Sequence, residues 1–190
     1  MPIESMGHFT AIGMRVKIDD SAALVINTCG SNDKANIIGT DKSWDWSNPT
    51  NRAILHPYHD VTAVSVECLW QGCKLQQGMT KPHNEVLLGD WRWGKGKKPI
   101  GAYAGPGQPL ITTPGAARRA IYIPAFRNLV EYWMKNPVVQ DMIDHAKEWT
   151  AGPVYLRDHD TGRGIDRNGP LSHAWVLASF LNTGSWDFAK

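Results

Sequence analysis

The chain has 190 residues, 42% of them apolar and 20% charged, with a formal net charge of +2. That is enough for one domain with a sizeable core, and it excludes a disordered or collagen-like chain, while the near-neutral charge does not by itself demand a polyanion partner. The longest apolar runs, 22–26 and 174–178, fall far short of the roughly 18 residues that span a bilayer.

In chain order, residues 14–18 and 23–27 are alternating or apolar stretches separated by Asp19-Asp20-Ser21, a pattern that predicts a β-hairpin. Residues 30–60 are polar and rich in Asn, Asp, Ser, Pro and Trp, which predicts a long loop region. Residues 64–77 predict a helix, because Val66, Leu69, Trp70 and Cys73 recur at i, i+3, i+4 and i+7. Residues 78–114 are irregular. A helix is predicted over 115–135, bent or split near Pro124, whose missing N–H cannot join the helical ladder. Asn136-Pro137 then reads as an N-cap followed by proline at the first helical position, opening a helix to about Trp149. A short strand is expected over 153–157, a polar loop at 158–164 and a last helix over 170–181. These elements describe an α+β fold, a small β-sheet packed with several helices. One domain over 1–190 is expected, with a hairpin region at 1–40 and a core at 41–182.

The three cysteines, Cys29, Cys68 and Cys73, are odd in number, and the last two are five apart, which is not zinc-ligand spacing. Reduced thiols and a cytoplasmic location follow as expectations, in keeping with an N-terminus that shows no basic or apolar signal segment. No metal or other cofactor and no membrane are expected.

Chemistry concentrates in a few places. On the 64–77 helix, Glu67, Gln71 and Lys74 stand at i, i+4 and i+7, so an acid, an amide and an ammonium share one face. Such a face can orient a sugar or a water; it can equally be a solvated face with weak ion pairing. Asp158-His159-Asp160 follows a predicted strand, where scaffolds place functional groups, although two carboxylates are few for a metal. His173 sits early in the last helix. Trp91, Arg92, Trp93, Lys95, Lys97 and Lys98 form a basic, glycine-flexible segment interleaved with aromatics. Lysine and arginine neutralise phosphates and tryptophan stacks on bases, so this segment is a candidate nucleic-acid contact. The glycines there match no phosphate-loop or dinucleotide pattern.

Val66-Glu67-Cys68-Leu69-Trp70-Gln71-Gly72-Cys73-Lys74 resembles the Val-Glu-x-x-x-Gln-x-x-Lys signature of the NADAR (YbiA-like) superfamily. Ala117-Arg118-Arg119 is similar to that superfamily's Arg-rich segment, and the order of helix, Gly152, short strand and acidic turn at Asp158 and Asp160 follows. Val-Glu-x-x-Trp-Gln, Ala-Arg-Arg-Ala-Ile-Tyr and Pro-Leu-Ser-His-Ala place it nearest an uncharacterised bacterial and phage branch. The chain departs from the superfamily at Thr161–Gly164 and Pro170–Ala174, a region expected to shape the substrate pocket.

The resemblance implies a YbiA-like fold and hydrolysis of an N-glycosidic bond, at an ADP-ribosyl group on a guanine base or in a ribosylated metabolite. On that footing Glu67 is the carboxylate that meets oxocarbenium charge or activates water, and Asp158 or Asp160 is a second acid. Trp70, Gln71, Lys74 and His173 bind substrate, and Arg118 and Arg119 meet phosphate. A modified nucleobase in DNA is the leading expected substrate, with a role in phage–host conflict. A free nucleotide or ribosylated metabolite is the alternative, and a non-catalytic nucleotide-binding module a third reading.

Overall fold

The computed structural model describes residues 7–13, 15–18, 21–28, 54–55, 61–89, 98–158 and 162–189. Its strands are β1 (Phe9–Gly13), β2 (Leu24–Asn27), β3 (Ile54–Leu55), β4 (Thr62–Ala63), β5 (Lys74–Leu75), β6 (Gly101–Ala102) and β7 (Val154–Asp158). Its helices are α1 (Val66–Gly72), α2 (Asn84–Leu87), α3 (Pro114–Ala117), α4 (Ile123–Trp133), α5 (Pro137–Glu148) and α6 (His173–Thr183). A π-helical turn, Arg118–Tyr122, joins α3 to α4. The fold is α+β, as the sequence predicts. Two compact units are drawn from Met1–Gly39 with Tyr132–Lys190, and from Thr40–Glu131. Among the described residues no helix is long and apolar enough to cross a membrane.

The first unit is built on a three-stranded sheet in the order β1-β7-β2. Both outer strands run parallel to β7, with Phe9 and Leu24 each opposite Val154. The expected hairpin over 14–27 therefore does not form. The reason lies in burial. Every residue of β1 is buried, whereas the alternating stretch just after it carries Arg15 and Lys17, which stay exposed. A parallel sheet covered on its faces selects the apolar run over the alternating one. α6 packs on β1 and β7, burying Ala174, Val176, Leu177 and Ala178. α5 starts as predicted: Asn136 caps it by accepting from the Val138 N–H at 3.0 Å, and Pro137 takes the first helical position. Val139, Ile143 and Ala146 form its buried stripe. Just before β7, a Cβ on Gly152 would lie 2.7 Å from the Ala22 carbonyl oxygen, so only glycine fits this approach.

In the second unit α1 packs on α2 and on the short β3–β4 ladder. It is shorter than the predicted 64–77. It begins after Ser65, whose hydroxyl accepts from the Cys68 N–H at 3.0 Å, and ends at Gly72. A Cβ on Gly72 would stand 2.7 Å from a Leu87 methyl, so the glycine admits α2 against the end of α1. The chain then leaves the helix for β5, which pairs antiparallel with β6.

Of the bend or split expected near Pro124, a split does not occur: α3, the π turn and α4 follow one another from Pro114 to Trp133. The Ile123 N–H bonds to the Arg118 carbonyl, an i→i−5 contact. The widened π turn displaces the ladder immediately before the proline, so the ring is accommodated without breaking the helix.

Candidate functional site

α1 divides cleanly. Val66, Cys68, Leu69 and Gly72 are buried, while Glu67, Trp70 and Gln71 are only half-buried. Glu67 lies in the first turn, where a carboxylate complements the helix dipole. Contrary to the expectation from the i+7 spacing, Lys74 is not on the helix; it is the first residue of β5. Its position is fixed by the flanking ladder, in which Tyr103 N–H donates to the Cys73 carbonyl and Ile100 N–H to the Leu75 carbonyl, both at 2.8 Å. Leu75 goes into the core and Lys74, its neighbour on the opposite strand face, turns back toward α1.

Three side chains form a chain of hydrogen bonds. Lys74 Nζ donates to Gln71 Oε1 at 2.8 Å, and Gln71 Nε2 donates to Glu67 Oε1 at 2.6 Å. The Lys74 ammonium also lies 4.8 Å from the Trp70 ring centre, a cation–π contact. Trp70 meets Tyr122 edge to face, with ring centres 5.7 Å apart, and Tyr122 stacks on Phe126. Burial lowers the Lys74 pKa below its ordinary value; Glu67 pulls it up and Arg118 pushes it further down. Arg118 is only 4% exposed and sits on the π turn, an irregularity frequent at functional sites.

The structure thus brings together Glu67, Trp70, Gln71, Lys74 and Arg118. Arg119 follows on the same turn, half-buried. Tyr122 is a member that sequence reading missed; its i+4 spacing from Arg118 is the signal that places both on one side of a helical segment.

Asp158 and His173 meet in the first unit. Asp158 ends β7 and is 2% exposed. Its Oδ2 accepts from Ser172 Oγ at 2.8 Å and from the Ala174 N–H at 3.4 Å, and faces His173 Nδ1 at 3.2 Å. His173 Nε2 points at the Thr28 carbonyl. Ser172, a second residue sequence reading missed, caps α6 by accepting from the Trp175 N–H at 3.1 Å. A serine two residues before Ala174, at the foot of an apolar run, is the cap signal. This cluster ties the ends of β7 and α6 together.

Lys98 is exposed in the segment leading to β6. Trp91, Arg92, Trp93, Lys95, Lys97 and Asp160 lie outside the described residues. Among the described residues no three His, Cys, Asp or Glu side chains gather as a metal site.

A model for a family of unknown function (DUF6939) matches residues 52–177. The chain belongs to that family. Among curated proteins and among solved structures, none matches it. The DUF6939 match spans β3 through the middle of α6 and so includes Glu67, Gln71, Lys74, Arg118, Asp158 and His173. It leaves out β1 and β2, the two strands that flank β7. The DUF6939 description names no activity.

Proposed function

We propose that this DUF6939 protein is an N-glycosidase that hydrolyses the base–sugar or ADP-ribosyl N-glycosidic bond of a modified nucleobase in DNA, with the likeness to the NADAR superfamily as its closest guide. The observation that carries the reading is the hydrogen-bonded Glu67–Gln71–Lys74 chain beside Trp70 and Arg118.

Breaking a C1′–N bond sends the bonding pair to the base nitrogen and leaves oxocarbenium character on the sugar. A carboxylate held by an amide donor is suited to face that charge and to take a proton from the incoming water, whose oxygen completes C1′. The departing nitrogen needs a proton. Lys74, whose hold on its own proton burial weakens, supplies it and recovers it from Glu67 through solvent. Arg118 and Arg119 meet phosphate, and Trp70 offers a ring for a base. Asp158, committed to Ser172, His173 and the start of α6, holds the fold and stands outside the chemistry.

The test is a panel of oligonucleotides with modified guanines, ADP-ribosylated guanine among them, alongside free nucleotides of the same bases. Release of a base or of ADP-ribose, read by mass spectrometry, is the expected result. Release from free nucleotides but not from DNA would select the metabolite reading. Tight binding with no release from any member would select a non-catalytic module.

A further inference from the structure

Lysine can only donate hydrogen bonds, and a glutamine amide has one oxygen to accept and one NH2 to donate. With Lys74 Nζ at 2.8 Å from Oε1, the amide of Gln71 has a single workable orientation, and its Nε2 is left facing Glu67 Oε1 at 2.6 Å. A flipped amide would oppose donor to donor at one end and acceptor to acceptor at the other. Glu67 must therefore accept, which an ionised carboxylate does best. We propose that Gln71 is a positioning residue, not a substrate contact: its amide holds Glu67 as the carboxylate and Lys74 as the ammonium, and so sets the acid–base state of the site. The catalytic meaning of this rests on the N-glycosidase reading; the proton distribution does not.

Lys74 reaches the amide from β5 and not from a continued α1, which ends at Gly72. Among the described residues, the charged or titratable groups on elements packed against α1 include Arg118, Arg119 and Tyr122 of the π turn, and His83 with Glu85 at the start of α2, which pair with each other at 2.8 Å. Arg118 bears on Lys74 in the direction opposite to Glu67. An uncharged amide between Glu67 and Lys74 keeps both ionised without merging them into one neutralised pair.

The test is a titration of the intact chain by carbon-13 NMR. The Glu67 carboxyl and Lys74 Cε signals are identified by their loss in Glu67→Gln and Lys74→Met. In Gln71→Met, which keeps the length and loses both polar atoms, the Glu67 midpoint should rise and the Lys74 midpoint should fall, each by about one pH unit. In Gln71→Glu, the added charge should raise both, so Lys74 moves in opposite directions in the two variants. A general loosening of the fold would not give that sign pattern. Unmoved midpoints in folded Gln71→Met overturn the proposal. If Gln71→Met does not fold, Gln71→Glu decides: a Lys74 midpoint that stays put overturns it. Shifted midpoints in a protein that releases no base from any substrate leave the positioning role standing and retire the enzymatic reading.

Discussion

Asn182 grips both backbone polar groups of Phe9. Its Oδ1 accepts from the Phe9 N–H and its Nδ2 donates to the Phe9 carbonyl, each at 2.8 Å. The amide does for the start of β1 what a neighbouring strand would do, and it joins α6 to the sheet that α6 covers.

Asn182→Ala leaves two backbone groups at a part-buried site without these partners. It should cost about 2 kcal/mol. In urea unfolding the midpoint falls while the slope is unchanged. A loss below about 0.5 kcal/mol, the scale of an ordinary surface substitution, would contradict this role.

Asp158 and Ser172 should behave as structural residues. Ser172→Ala removes the α6 cap and is expected to cost about 1 kcal/mol. Asp158→Ala strips His173 Nδ1, the Ser172 hydroxyl and a backbone N–H of a buried acceptor, and should cost about 3 kcal/mol. Thermal and urea melts check both. An Asp158→Ala protein of undiminished stability that has lost only turnover would move Asp158 into the chemistry.

Lys74 gives stability a pH signature. Its folded pKa is lowered, by burial first and by Arg118 in the same direction, with Glu67 opposing. The unfolded chain keeps the ordinary lysine value of 10.5. Between the lowered value and 10.5 the unfolded state binds more protons, so this contribution makes stability rise with pH across that window. Lys74→Met removes it. The difference in unfolding free energy, wild type minus Lys74→Met, should increase from pH 7 to pH 10. A flat difference would contradict the shift.

If DNA is the substrate, the basic segment near Trp91 has to grip phosphate. Reversing Lys95, Lys97 and Lys98 to Glu should weaken duplex binding and reduce the salt slope by roughly 2 to 3, since each neutralised phosphate contributes about 0.9. Gel-shift titrations over a range of salt check this. Unchanged affinity and slope would favour the free-nucleotide substrate.

Much of this architecture is legible in the sequence where local chemistry and burial agree. Asn136-Pro137 marks the start of α5, and the Val154, Leu156 pattern marks β7. Glu67 and Gln71 are found by helical spacing alone, and the structure joins them directly. The failures arise where long-range packing decides. Nothing near Phe9 announces that β1 pairs with a strand some 145 positions later. The π turn that precedes Pro124 leaves no residue signature of its own, and the close approach of Leu87 to Gly72 at the end of α1 involves a residue that no window over 64–77 contains. Helical spacing predicts Lys74 near Gln71, but the helix stops short and β5 delivers Lys74 to the same partner by another route.

The most direct measurement is the release of base or ADP-ribose from modified-guanine DNA by wild type and by Glu67→Gln, each verified as folded and as binding the same DNA. Wild type should release product, and Glu67→Gln should retain binding while its turnover falls by at least about a hundredfold. Equal release by the two proteins would contradict the role of Glu67, and no release by wild type from DNA or nucleotide would contradict the glycosidase itself.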